Sequence, residues 1–196
     1  MAPAAGKLPL RDATDAWLAD QHHLAPSTYS RYRSIAEGTV TARFGHLPLS
    51  KVTRPLIRKW IGEQVDADVP AETVHKNVGV LRRILGQAVE DGRLASNPAL
   101  KVKLPPITTA EMRFLTLVEL RALAEAAGTD APAIWVLGVC GLRIGELIGL
   151  QHKNLDRRGG LIHVVRSVTV VDNKHVVVRR RTGSAVWCPC RRPSRR

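Results

Sequence analysis

The sequence predicts a mainly α protein with a small β hairpin, a mixed α and α/β architecture. Three observations carry this. Helical periodicity runs through the first half, broken at intervals by proline and glycine. A stretch rich in proline and lysine then interrupts it, and helical spacing resumes. Beyond about residue 160 the period changes to that of paired strands. With 196 residues, 44% of them hydrophobic, the chain has enough apolar side chain for at least one core and fits one or two domains.

The elements follow in order. Leu10–Leu24 reads as a first helix with Trp17 and Leu18 on its apolar face. Pro26, Ser27 and Thr28 open a second with a small polar cap, and Tyr29, Tyr32 and Ile35 follow at helical spacing until Gly45 and Pro48. Thr53 caps a third, with Pro55 in its first turn and Ile57, Trp60 and Ile61 pointing inward. A fourth begins at Pro70 and carries the stripe Val74, Val78, Leu81, Leu85 and Ala88 nearly to Gly92. Asn97-Pro98 closes this helical domain, residues 8–98. Residues 99–112, with Lys101, Lys103, Pro105 and Pro106, suit an extended linker. A second domain, residues 113–184, resumes at Phe114, Leu115 and Thr116, where Thr116 caps a helix to about Ala127. Pro132 opens another helix, and a third near Gly141 carries Arg143, Glu146, Leu147 and Leu150. Leu161–Val165 and Val168–Val171 form a strand, Asp172-Asn173 a turn, and His175–Val178 the returning strand.

Composition narrows the function classes. The net charge is +13 with a pI near 10.6, which argues for a polyanionic partner, most commonly nucleic acid. Seven arginines and no acid lie in residues 179–196, so residues 1–178 keep only +6 of that charge. The longest apolar run, Ala131–Leu142, sits between Asp130 and Arg143 and is too short to span a bilayer, so no membrane partner is expected. The N-terminus lacks a hydrophobic signal core, and a reducing cytoplasm is the expected location. Cys140, Cys188 and Cys190 make neither a disulfide framework nor a zinc site of known spacing; no metal site is expected.

The segment from Cys140 to Asp156 is the most informative. An arginine at an apolar helix start is costly unless something anionic receives it, and Leu142, Ile144, Leu147, Ile148 and Leu150 surround Arg143 as expected core positions. Glu146, one turn along, is placed to hold the guanidinium; the plainer reading is a buried Arg143–Glu146 pair. The spacing resembles the first catalytic-arginine box of the tyrosine recombinases, or phage-type integrases, T-G-[LM]-R-x-x-E-[LI]-x-x-L-x-W-x-D-[IVL]-D. Gly141, Leu142, Arg143, Glu146, Leu147, Leu150, Leu155 and Asp156 fall on it, while His152 stands at the usual tryptophan and Asn154 at the usual aspartate. The resemblance extends over about residues 8–184. It includes the Asn97-Pro98 end of the helical domain and the resumption from Arg113 through Thr116 to Glu119 and Leu120.

The resemblance implies a SAM-like helical core-binding domain followed by the first part of a catalytic domain. It implies DNA cleavage with no cofactor: a tyrosine attacks the scissile phosphate, two arginines stabilise the developing charge, and a lysine and histidines move protons. Arg143 matches the first arginine. Arg181, beside Thr182, occupies the place of the catalytic lysine, and arginine is a much poorer proton donor. The nucleophile has no match, because the only tyrosines are Tyr29 and Tyr32 in the helical domain. His163 and Arg166 spell His-x-x-Arg but lie three apart in an expected strand, where their side chains point oppositely, so they are not the family's second arginine motif.

The family closes its two domains around duplex DNA. The expected DNA-facing residues are Thr28 and Arg31 on the second helix, and Thr73, His75, Lys76, Arg82 and Arg83 on the fourth; hydroxyls near helix N-termini and basic side chains suit phosphate contact. Solvated helix faces are the plainer alternative for each alone. The expected partners are double-stranded DNA and full-length recombinase protomers.

The resemblance fades near Gly183-Ser184. Residues 185–196 are expected to be an aberrant, disordered basic tail without helical or strand period. One permitted back-translation of Ala185–Arg196, read from its third base, encodes Gly-Val-Val-Pro-Val-Pro-Pro-Ser-Val-Ala-Ala, the kind of strand the family places there. A frameshift is therefore expected, and genomic sequence after the last codon tests it. The sequence thus reads as a truncated tyrosine recombinase that binds DNA without cleaving it alone. The alternatives are a non-catalytic DNA-binding regulator of a mobile element and a pseudogene relic.

Overall fold

The computed structural model describes residues 7–109, 111–156 and 158–187. The chain divides into two compact units, residues 1–110 and 111–196.

The first unit is helical: α1 (Leu10–Ala19), α2 (Pro26–Ile35), α3 (Ala42–Phe44), α4 (Arg54–Asp66) and α5 (Ala71–Glu90). The longest of these, α5, supplies the centre of the core. Its predicted stripe Val74, Val78, Leu81, Leu85 and Ala88 is buried throughout, joined by Val80 and Ile84. Trp17 and Leu18 of α1, and Ile57, Trp60 and Ile61 of α4, are buried as expected. Phe44 meets Trp60 edge to face, with ring centres 5.0 Å apart. Three helix boundaries differ from expectation, one of them at α4, where Thr53 stands at the N-cap but makes no side-chain capping bond. α1 stops at Ala19, where the Gln21 side chain donates to the Trp17 carbonyl and competes with a further turn. α2 has Ala25 at its N-cap with no side-chain bond, so neither Ser27 nor Thr28 caps it; Pro26 in the first turn supplies the start instead. Rather than ending, α2 passes into a π-helical turn, Ala36–Thr41, that buries Ala36 and Val40 and leads into α3.

The expected linker is docked on this unit: it opens in a turn with Lys101 at φ 57° and runs without regular secondary structure over residues 102–109. Ala99 and Val102 are buried in the helical core. Asn97 is the clasp: its Nδ2 donates to the Arg82 carbonyl at 2.8 Å, and its Oδ1 accepts from the Ala99 amide at 2.9 Å. Asn97→Ala leaves that buried amide without its partner, so it should cost about 1–3 kcal/mol. Urea unfolding of the variant against the wild type measures this.

The second unit holds α6 (Leu117–Ala126), α7 (Ala131–Cys140), α8 (Ile144–Ile148) and a three-stranded antiparallel sheet in the order β1 (Leu155–Asp156), β2 (Leu161–Val171), β3 (Lys174–Trp187). The predicted turn is present: Asp172 (φ 47°) and Asn173 (φ 59°) both lie in the left-handed region, as a two-residue primed turn requires. Strand β3 runs further than the sequence period implied. Pairing reaches Leu161 opposite Trp187, and Val186 packs beside Cys140, Leu142, Ile162 and Val164. Ala185, Val186 and Trp187 therefore belong to the sheet rather than to a tail, because an apolar side chain at 186 has a cluster to meet. Arg179, Arg180 and Arg181 are likewise strand residues. The rest of the expected tail, residues 188–196, lies outside the described residues.

Thr116 caps α6 as predicted. Its hydroxyl accepts from the Glu119 amide, and Glu119 Oε2 accepts from the Thr116 amide at 2.9 Å, a reciprocal capping box. The Thr116 backbone bond, then the Thr116 hydroxyl, hold the Glu119 carboxyl below the usual carboxylate range; desolvation opposes this and Arg113 adds to it. A depressed folded pKa gives stability that is present above the unfolded pKa and lost as pH falls through the folded one. The gap in thermal midpoint between wild type and Glu119→Ala should therefore shrink on acidification from pH 7 to below the ordinary carboxylate range.

Candidate nucleic-acid interface

The box around Arg143 is built from a glycine outward. Gly141 ends α7 with φ +65°, a conformation that costs glycine little and other residues more. The chain turns there, and Arg143 becomes the N-cap of α8 in extended geometry. Gly145 then lets α8 lie against β2, since a Cβ at that position would sit 2.4 Å from the Val168 carbonyl oxygen. Gly145→Val should accordingly displace α8 and lower the thermal midpoint of this unit by several degrees in calorimetry.

The burial expected for this box is partly inverted. The Arg143 side chain is 80% exposed, whereas the Glu146 side chain is only 7% exposed. Glu146 Oε2 accepts from the Arg143 amide at 3.0 Å, and its Oε1 lies 3.3 Å from Arg143 Nη1. The buried partner is thus the carboxylate, and it orients a guanidinium that faces solvent. Leu142 is buried as expected, but Ile144 and Ile148 are 62% and 55% exposed, because a helix this short turns only one side to the sheet. An outward-facing guanidinium steadied by a buried carboxylate can hold an anion. Arg181 lies on β3 by its backbone, within the stretch where the pairing with β2 jumps from Val164–Ser184 to Arg166–Arg179.

In the first unit the predicted residues fall into two groups. Arg31, Thr73, Lys76 and Arg83 are exposed, and Thr28 is half-exposed. Arg83 lies over the Tyr32 ring, 5.4 Å from its centre, and so joins α5 to α2. Lys76 pairs loosely with Glu72, both exposed, at 3.7 Å. The other two are committed elsewhere: His75 Nε2 hydrogen-bonds the Pro105 carbonyl at 2.8 Å, and Arg82 Nε donates to the Ala99 carbonyl at 3.2 Å. Both fasten the segment after Asn97 to α5. Tyr29 and Tyr32 pack against the helical core, and Tyr32 also meets Trp17. Among the described residues no His, Cys, Asp and Glu cluster forms a metal site, and no helix is long and apolar enough to cross a membrane.

The phage integrase N-terminal SAM-like domain family matches residues 10–63. The integrase of Mycobacterium phage L5 is 30% identical over 182 residues, covering 91% of this chain and 48% of that protein. The tyrosine recombinase XerD of Pseudomonas aeruginosa is 27% identical over 156 residues, covering 76% of this chain and 52% of that protein. The chain belongs to the tyrosine recombinase family. It spans about half the length of the curated relatives it matches. The recombinase fold extends through both units. The Tn1549 transposon integrase in complex with circular intermediate DNA superposes with a TM-score of 0.81 at 16% identity, over 94% of this chain and 62% of that one. A lambda integrase dimer bound to a COC′ core site gives 0.69 at 16%, over 90% and 50%.

One set of cations in this chain escapes a reading of the sequence. Lys153, Arg166 and Arg179 line a single hollow with Gln151 and Val165. The only signal for it in the sequence is one basic residue before the strands and one within each of two strands, which strand alternation alone does not bring together.

Proposed function

We propose that these 196 residues form a DNA-binding recombinase module that engages duplex DNA without cleaving it. The observation that carries the reading is Arg143, held outward by a buried Glu146 within the recombinase box, beside the absence of any tyrosine after Tyr32 in the 196 residues. Arg143 supplies a fixed positive charge for a scissile phosphate, and Arg181 keeps a positive charge at the lysine position while being a poor proton donor. The exposed face of α2 and α5 supplies the remaining grip, with Arg31, Lys76 and Arg83 on phosphates and Thr28 and Thr73 near the helix starts.

Binding to duplex DNA measured across a salt series tests this. The wild type should lose affinity steeply with salt, because each phosphate contact releases counterions. Replacing Arg31, Lys76 and Arg83 by alanine should make the log–log slope shallower by about one for each phosphate the variant no longer neutralises. Arg82 is left intact, since its Nε fastens the segment after Asn97. A variant with an unchanged curve would remove this face from the reading.

A second reading is a non-catalytic regulator, in which these residues occupy recombination sites in the cytoplasm, alone or beside full-length recombinase protomers. Adding the chain to a complete recombinase on its own site should then lower the yield of recombinant product.

A further inference from the structure

The pairing of β2 with β3 places Arg166 directly opposite Arg179. Like charges at opposed positions of an antiparallel pair repel and destabilise the sheet. No carboxylate relieves them: among the described residues none of Lys153, Arg166 and Arg179 is in an ion pair. The register jump lies next to this pair, the kind of irregularity that re-aims side chains at functional edges.

Arg166 is nevertheless held in place. Its Nε donates to the Gly149 carbonyl at 2.6 Å. With the Gln151 amide turned so that its oxygen faces the guanidinium, that oxygen accepts from Nη2 at 2.8 Å and Nη1 at 3.2 Å. Both acceptors are neutral, so they orient the half-buried guanidinium without cancelling its charge, and N–H donors are left over for a ligand. Lys153 enters from the turn before β1 and Arg179 from β3, and all three line one hollow of about 360 Å³. A pre-oriented guanidinium flanked by two further cations, with no acid among them, fits a tetrahedral oxyanion.

We propose that Lys153, Arg166 and Arg179 form a subsite for one backbone phosphate of duplex DNA. The subsite is separate from Arg143, which lies at the opposite end of α8 from Gly149. The proposal rests on the DNA-binding reading above, and the experiment separates the two. Lysine acetylation of the intact chain, mapped by mass spectrometry, is compared without ligand, with duplex DNA, and with inorganic phosphate at the same phosphate concentration. In parallel, duplex binding across a salt series is measured for Lys153→Gln/Arg179→Gln and for a control pair, Lys59→Gln/Arg121→Gln. All four residues are exposed, and Arg166 is left intact because it braces Gly149.

Duplex should protect Lys153 several-fold more than inorganic phosphate does. The Lys153/Arg179 variant should lose about one from the salt slope, while the control pair keeps the wild-type slope. Equal protection by inorganic phosphate would make this a small-anion site and overturn the assignment to DNA. Unprotected Lys153, or a slope equal to that of the control pair, overturns the subsite while leaving DNA binding by the chain intact. A wild type that does not bind duplex at all overturns the DNA-binding reading itself.

Discussion

Incubated with a nicked suicide duplex that carries a recombination site, the 196-residue chain should give no protein-linked DNA on a denaturing gel. On the reading proposed above, the reason is a missing attacking group rather than a weakened one. Phosphoryl transfer through a covalent intermediate needs a nucleophile in line with the scissile phosphate. The two phenols of the chain belong to α2, where both pack against the helical core and Tyr32 is further held between the Trp17 ring and the Arg83 guanidinium. Arg143 can stabilise charge on a phosphate, but stabilising charge does not break the phosphodiester bond. The expected effect is all or none, so a faint adduct is as informative as a strong one. A phosphotyrosyl peptide mapped to Tyr29 or Tyr32 would overturn this expectation.

Much of the first unit is legible in the sequence because a long amphipathic helix repeats its signal. Five predicted positions on α5, from Val74 to Ala88, are all buried, and each reinforces the phase set by the others. Single-residue signals are less dependable. Thr116 caps α6 as its sequence implies, helped by Glu119 three residues on, but Ser27 and Thr28 follow a proline that already starts α2 and have no cap to make. In sequence, Asn97 reads as a terminator only. Its side chain in fact ties the following segment back to α5, a tertiary contact that local spacing does not encode.

The box around Arg143 can be read for a different reason: its residues are close in sequence, so their spacing can be set directly against the family pattern. Its burial cannot be, because the desolvated group is decided by how α8 lies on β2. Gly145 brings the backbones together there, and Glu146 turns inward while Arg143 turns out. The cluster of Lys153, Arg166 and Arg179 is the least legible. Strand alternation separates Arg166 from His163, yet the partner of Arg166 across the sheet depends on a register jump that no periodicity announces.

Leu81→Ala should lower the stability of the helical unit by about 2–5 kcal/mol, the range for truncating a fully buried leucine. Leu81 is 0% exposed at the middle of α5, surrounded by Val78, Ile84 and Leu85, which are equally buried. A backbone clamped on either side by such neighbours collapses poorly into the space left, so the upper part of the range is expected. The same helix presents Lys76 and Arg83 to solvent, and this separates two ways of losing DNA affinity. A charge removed from the exposed face changes the salt slope and leaves unfolding untouched. A methyl cluster removed from the buried face shifts the urea midpoint, monitored through the buried Trp17 and Trp60, and leaves the salt slope of the folded fraction unchanged. If Leu81→Ala flattened the salt slope at concentrations of urea where the unit is still folded, the α5 core and the exposed side proposed to face DNA would be coupled, and the division of labour between the two faces of this helix would fail.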